Sequence, residues 1–154
     1  MIDLREHAVP LRRFVESSLS TFLETNPALS IGHVALYSCP WSGWVSLCVD
    51  SRPHQDQNCP DFDHAEVAIY EAEDWSEEYE SSDSPEIVGL DGIILKPDIT
   101  EEGDEAFNRP FFDFLCGILR HVPPSGILSQ QQRQPDVRAG VQLLDSAFTD
   151  SWTL

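Results

Sequence analysis

HVALYSCPWSGWVSLCV, residues 33–49, carries the decision about the fold. Two runs of β-formers, His33-Val34-Ala35-Leu36-Tyr37 and Trp44-Val45-Ser46-Leu47-Cys48-Val49, flank Cys39-Pro40-Trp41-Ser42-Gly43. Branched and aromatic side chains suit a pleated, half-buried surface, and Pro and Gly supply the backbone a tight reversal needs. The pattern predicts a β-hairpin.

Working outward, Phe14, Val15, Leu19, Phe22 and Leu23 fall at three- and four-residue spacings and predict a helix from about Leu11. Pro10 fits its first turn, where a missing N–H costs nothing, and Asn26-Pro27 stops it. Downstream, a polar loop over residues 51–61 leads to a third strand, about Ala65 to Glu71. A short helix is expected near Trp75, because Asp74 and Glu77 have capping-box spacing. A fourth strand, Ile87 to Leu95, is broken by Asp91-Gly92, itself a candidate hairpin turn. Phe107, Phe111, Phe114, Leu115, Ile118 and Leu119 keep helical spacing, with Asn108-Arg109-Pro110 near the first turn and Pro123-Pro124-Ser125-Gly126 beyond the end. After a Gln-rich connector, Gln130 to Gln134, the spacing of Val137, Val141, Leu144 and Phe148 predicts a last helix ending around Thr149. The expected fold is α+β, a mostly antiparallel sheet of about four to five strands with N-terminal and C-terminal helices packed on it. Residues 1–154 are expected to form one acidic domain, with acidic loops over about 50–113.

The charge is unevenly placed. Of the formal net charge of −18, residues 1–49 hold four acids and three bases, residues 114–154 three of each, and residues 50–113 twenty acids against three bases. Phosphates would be repelled by that middle third, which argues against nucleic acid and anionic lipid as partners. No run approaches the ~18 apolar residues that span a bilayer. The N-terminus, MIDLREHAVPLRRF, lacks the apolar core of a signal peptide, so a soluble cytoplasmic protein with reduced thiols is expected.

Catalytic and metal motifs are absent: the chain contains no G-x-S-x-G, H-E-x-x-H, Walker loop or G-x-G-x-x-G. Cys39, Cys48, Cys59 and Cys116 are too widely spaced for a zinc clip, and Cys48 and Cys116 read as small core residues. His54 and His64 lie near Asp56, Asp61 and Asp63, a set that could hold a divalent cation, and Cys59 with His64 is a conceivable nucleophile pair. Residues Asp98 to Asp104 do not keep the order of an EF-hand loop. His33 reads as structural, and His121 suits a helix C-terminus. No cofactor and no metal is expected.

The concentration of carboxylates is itself the signal. EAEDWSEEYESSDSPE, residues 71–86, is half carboxylate with no base, and Glu101-Glu102-Gly103-Asp104-Glu105 forms a second block. The bland reading is a solvated face. Against it, the charge is gathered where self-repulsion opposes folding, and it is interleaved with large aromatics of the kind that anchor interfaces. The candidate partner-binding residues are therefore Trp41, Asp74, Trp75, Glu77, Glu78, Tyr79, Glu80, Glu101, Glu102, Asp104 and Glu105. Trp75 and Tyr79, one turn apart, either tuck into the core or face a partner. Trp41 and Trp44, flanking Ser42-Gly43, are expected to put one indole in and one out.

Residues 37–50, YSCPWSGWVSLCVD, followed by Cys59-Pro60-Asp61-Phe62, Asp74-Trp75 and Glu78-Tyr79, resemble a group of small bacterial proteins of uncharacterised domain type. Relatives of this look are often encoded beside polymorphic toxins, as immunity proteins. The resemblance covers about residues 30–80. It implies an acidic α+β inhibitor, monomeric when free, that binds one cognate toxin and blocks a basic active site. No catalytic residue carries over from it. Two other classes remain: a secretion chaperone of the type III kind, expected to be a dimer, and a metal-assisted hydrolase using His54 and His64.

Overall fold

The computed structural model describes residues 1–51, 65–99, 105–122, 127–128 and 132–154. In chain order the elements are strand β1 (Ile2–Asp3), helix α1 (Leu4–Thr25), strands β2 (Ile31–Cys39), β3 (Trp44–Asp50) and β4 (Ala65–Glu71), helix α2 (Glu73–Ser81), strands β5 (Ile87–Val88) and β6 (Ile94–Leu95), helix α3 (Glu105–His121), and strands β7 (Arg133–Leu143) and β8 (Thr149–Thr153). The fold is α+β. Its main sheet has the order β4-β3-β2-β7-β8, in which only the β2–β7 pairing is parallel, and a smaller sheet runs β1-β5-β6.

The 33–49 stretch forms the predicted hairpin. A 3-10 turn over Pro40–Ser42 reverses the chain, and Gly43 closes it at φ +71°. Glycine is required there, since a Cβ would stand 2.5 Å from the Ala72 carbonyl oxygen and φ lies in the left-handed region. Across the hairpin Val34 faces Val49 and Leu36 faces Leu47. Strand β4 has the predicted bounds and pairs antiparallel to β3.

Two expectations about helices change. Helix α1 begins at Leu4, not Leu11, capped by the Asp3 carboxylate, which accepts from the Arg5 amide at 3.0 Å. Pro10 is thus inside the helix rather than in its first turn. It costs one ladder bond, but it lies on the exposed face, where water can reach the freed carbonyl. Asn26 ends the helix as predicted, its side-chain amide donating to the Phe22 carbonyl at 2.8 Å.

The second correction is larger. The predicted last helix over Val137, Val141, Leu144 and Phe148 is the strand pair β7–β8. Val137 and Val141 lie four apart, which satisfies a helix and also a strand, whose same-face residues recur every second position. The strand wins because Ala139 and Leu143 complete the two-residue period, and all four are buried. Gly140, costly in a helix by about 1 kcal/mol, here lets the chain pass close to neighbours. A Cβ on it would lie 2.7 Å from the Asp150 carbonyl oxygen and 3.2 Å from His33 Nε2.

Helices α1 and α3 pack on the main sheet. Leu11, Val15 and Leu19 of α1, Phe111, Leu115 and Ile118 of α3, and Leu36, Leu47, Ala139 and Val141 of the sheet belong to one buried cluster. Each large side chain so buried contributes about 1.5–3 kcal/mol before conformational entropy is charged against it. None of the described helices is long and apolar enough to cross a membrane.

Candidate functional site

Helix α2 carries five acids and no base in nine residues. Its start does not depend on the expected capping box. Ala72 occupies the N-cap position without a side-chain bond, and its amide donates to the Gly43 carbonyl at 2.7 Å. The hairpin turn therefore seats the helix by backbone contact. Glu73 and Asp74 in the first turn suit the positive end of the helix dipole, whereas Glu80 in the last turn opposes its negative end.

Trp75 is removed from the candidate interface: it is 0% exposed. Its ring packs 4.8 Å from Phe111, 5.1 Å from His7 and 6.4 Å from Phe114, centroid to centroid. Tyr79, one turn on, is partly buried and lies 4.8 Å from Phe107. The aromatic pair thus roots α2 in the core instead of greeting a partner. Trp41 is partly buried against the core, and Trp44 is likewise half-buried, edge-on to Tyr37 at 5.6 Å. The expected division of one indole in and one out does not occur.

With Trp75 and Tyr79 turned inward, about 100° per residue sends Glu73, Glu77 and Glu80 to the opposite flank. All three are exposed, and no described cation pairs with them. The other two acids of the helix are engaged. Glu78 takes the N-terminal ammonium and also accepts from the Glu86 amide at 3.3 Å. That ammonium holds the Glu78 carboxyl below its ordinary value. Asp74 accepts from His7 Nε2 at 2.8 Å, while His7 Nδ1 meets the Tyr70 hydroxyl at 2.9 Å.

The Tyr70–His7–Asp74 chain joins β4, α1 and α2. With the hydroxyl donating to Nδ1 and Nε2–H donating to Asp74, all three groups are satisfied. Burial, then the Asp74 charge, pushes the Tyr70 phenol above its ordinary value, so it stays protonated and keeps its O–H for the bond to His7. Nothing local in the sequence marks His7, because its partners are 63 and 67 residues away.

Of the second acidic block, Glu105 is exposed in the first turn of α3, while Glu101, Glu102 and Asp104 lie outside the described residues. So do His54, His64, Cys59 and the nearby aspartates of the candidate cation set. Among the described residues no group of His, Cys, Asp or Glu could hold a metal ion. Cys39, Cys48 and Cys116 are buried cysteines with no disulfide among the described residues. Burial pushes Cys48 up and Cys116 up to about 11, so both stay protonated and unreactive near neutrality. His33 is buried in β2, and His121 Nδ1 lies 2.7 Å from the Gly117 carbonyl at the C-terminal end of α3, where the sequence predicts a helix end.

What the arrangement can do is electrostatic. A core-rooted helix presents Glu73, Glu77 and Glu80 with no described cation beside them, able to accept charge-assisted hydrogen bonds from Arg or Lys. No family model matches the chain, and neither a curated protein nor a solved structure matches it.

Proposed function

We propose that the chain is a non-enzymatic binding protein, an immunity-type inhibitor that neutralises one cognate toxin by covering its basic active site. The observation that carries this reading is the outer flank of α2, where Glu73, Glu77 and Glu80 stand exposed without a described cation while Trp75 and Tyr79 anchor the helix from behind. A helix backbone already rooted in the core need not be ordered on docking, which lowers the entropy cost of association, although each exposed glutamate still gives up rotamer freedom. Each exposed ion pair adds about 0.2–1 kcal/mol, so the carboxylates act mainly by steering the encounter and excluding wrong partners. The partner is a protein with a basic cleft, and the free chain works as a cytoplasmic monomer without a cofactor.

The test is titration calorimetry of the chain against the protein encoded by the adjacent reading frame. Tight binding is expected at low salt, weakening about tenfold or more as salt approaches 0.5 M. Absence of binding at low salt would remove the reading. Stoichiometric metal in the purified protein would replace it with the hydrolase.

A further inference from the structure

Leu90-Asp91-Gly92-Ile93-Ile94-Leu95 is the other unusual surface of the molecule, and it is apolar. Leu90, Ile93, Ile94 and Leu95 are 51, 59, 54 and 42% exposed, four of the seven large exposed apolar side chains among the described residues. Single exposed apolar residues are ordinary, but four within six positions form a patch that calls for a function.

The segment is held, not loose. Gly92 sits at φ +79° and its amide donates to the Gly89 carbonyl at 2.9 Å, while the Asp91 side chain accepts from the Ile93 amide at 2.9 Å. Beneath the hairpin Ile87 and Val88 of β5 are buried, with β1 parallel to β5 on the far side. Among the described residues, strand β6 is therefore the edge of the small sheet. Successive strand residues point to opposite faces, so exposure of both Ile94 and Leu95 means that β6 is bare on both faces. The Gly89 amide donates to the Ile93 carbonyl at 3.0 Å, and Val88 pairs with Ile94 one step further. In an antiparallel ladder that step is the wide, unbonded one, so the N–H and C=O of Ile94 point to the open edge.

We propose that β6 is the docking strand for the protein partner, taking an extended segment of it as an added strand, with apolar side chains over Ile93, Ile94 and Leu95 and Lys or Arg between them. This rests on the reading of the chain as a binder of a basic protein. Charge selects this occupant over a second copy. Residues 65–99 hold eleven acids and one base, and that base, Lys96, is paired with Glu86. Arg5, close beneath Gly92, is paired with Asp3. Two chains of net charge −18 meeting at this edge would repel, whereas a cationic strand gains both the backbone bonds and the field.

The experiment uses the full chain, isotopically labelled for amide NMR, and two synthetic peptides of equal charge. One alternates lysine with valine; in the other, proline replaces each valine and removes the strand donors. The alternating peptide is expected to bind about tenfold tighter at low salt, shifting the Ile93–Leu95 amides and slowing exchange at Ile94. Ile93→Thr with Leu95→Thr, which keeps β propensity, is expected to abolish that tenfold preference while leaving the rest of the amide spectrum in place. Equal binding of both peptides, with shifts confined to α2, would overturn strand docking and leave the inhibitor reading standing. No binding of either peptide at low salt would count against both. Concentration-dependent dimerisation without peptide, lost in the threonine variant, would overturn the proposal in favour of a second copy.

Discussion

Asn108 places a side-chain amide in the interior of α3 with neither its nitrogen nor its oxygen bonded. An unsatisfied buried amide costs about 1–3 kcal/mol, and leucine has the same branched shape without the polar atoms. Asn108→Leu is expected to raise stability by about 1–2 kcal/mol, read from the midpoint of urea unfolding. Cys116 makes a pH prediction. Its thiol ionises near 11 in the folded chain but near about 8.5 once unfolded, so between those values the unfolded state has lost a proton that the folded state keeps. Stability contributed by the buried thiol is complete below the lower value and is lost as pH rises to the upper one. Cys116→Ala is expected to flatten the fall in stability over that window, measured by urea unfolding at stepped pH. An unchanged slope would mean that other groups govern it.

On the proposed reading, stability and binding pull in opposite directions within α2. Glu77 lies four residues after Glu73 and three before Glu80, so like charges neighbour each other along the exposed flank. Each such pair costs about 0.2–0.5 kcal/mol, and Glu80 adds an unfavourable charge at the helix C-terminus. Glu77→Gln with Glu80→Gln should therefore stabilise the free chain by about 0.5–1 kcal/mol in thermal unfolding. If the proposed inhibitor reading is right, the same double variant should weaken attachment to the toxin and reduce its salt dependence. If it stabilises the chain and binding stays intact, these carboxylates are ordinary solvated surface. The strand β7 teaches a different lesson about elements. Its Val137 and Val141 fit two periodicities, and only pairing with β2, Val34 opposite Ala139 and Leu36 opposite Val141, selects between them.

For the whole molecule, a net charge of −18, of which −17 lies between residues 50 and 113, must be held together by one apolar cluster. Screening should relieve the repulsion. Raising salt from about 0.02 M to 0.3 M, across a Debye length falling from roughly 20 Å to 6 Å, is expected to lift the melting temperature by a few degrees. A melting temperature independent of salt would show that the carboxylates are already compensated in the free chain. On the proposed reading the same salt should weaken attachment to a basic partner, so folding and binding would move apart under one variable.

The sequence by itself determined what is local. The 33–49 hairpin, the bounds of β4, the stop at Asn26-Pro27 and the turn at Asp91-Gly92 are written in side chains that act on their own backbone. So was the acidity of the middle third, which is a count. Only the tertiary structure decided what depends on distant neighbours. Helix α1 starts at Leu4 because Asp3 caps it as β1 pairs with β5. Trp75 turns inward because Phe111 and Phe114, far along the chain, offer it aromatic rings to pack against. Residues 133–143 form a strand because an open edge of β2 satisfies backbone groups and buries alternate side chains at once, a gain that no short window of sequence contains.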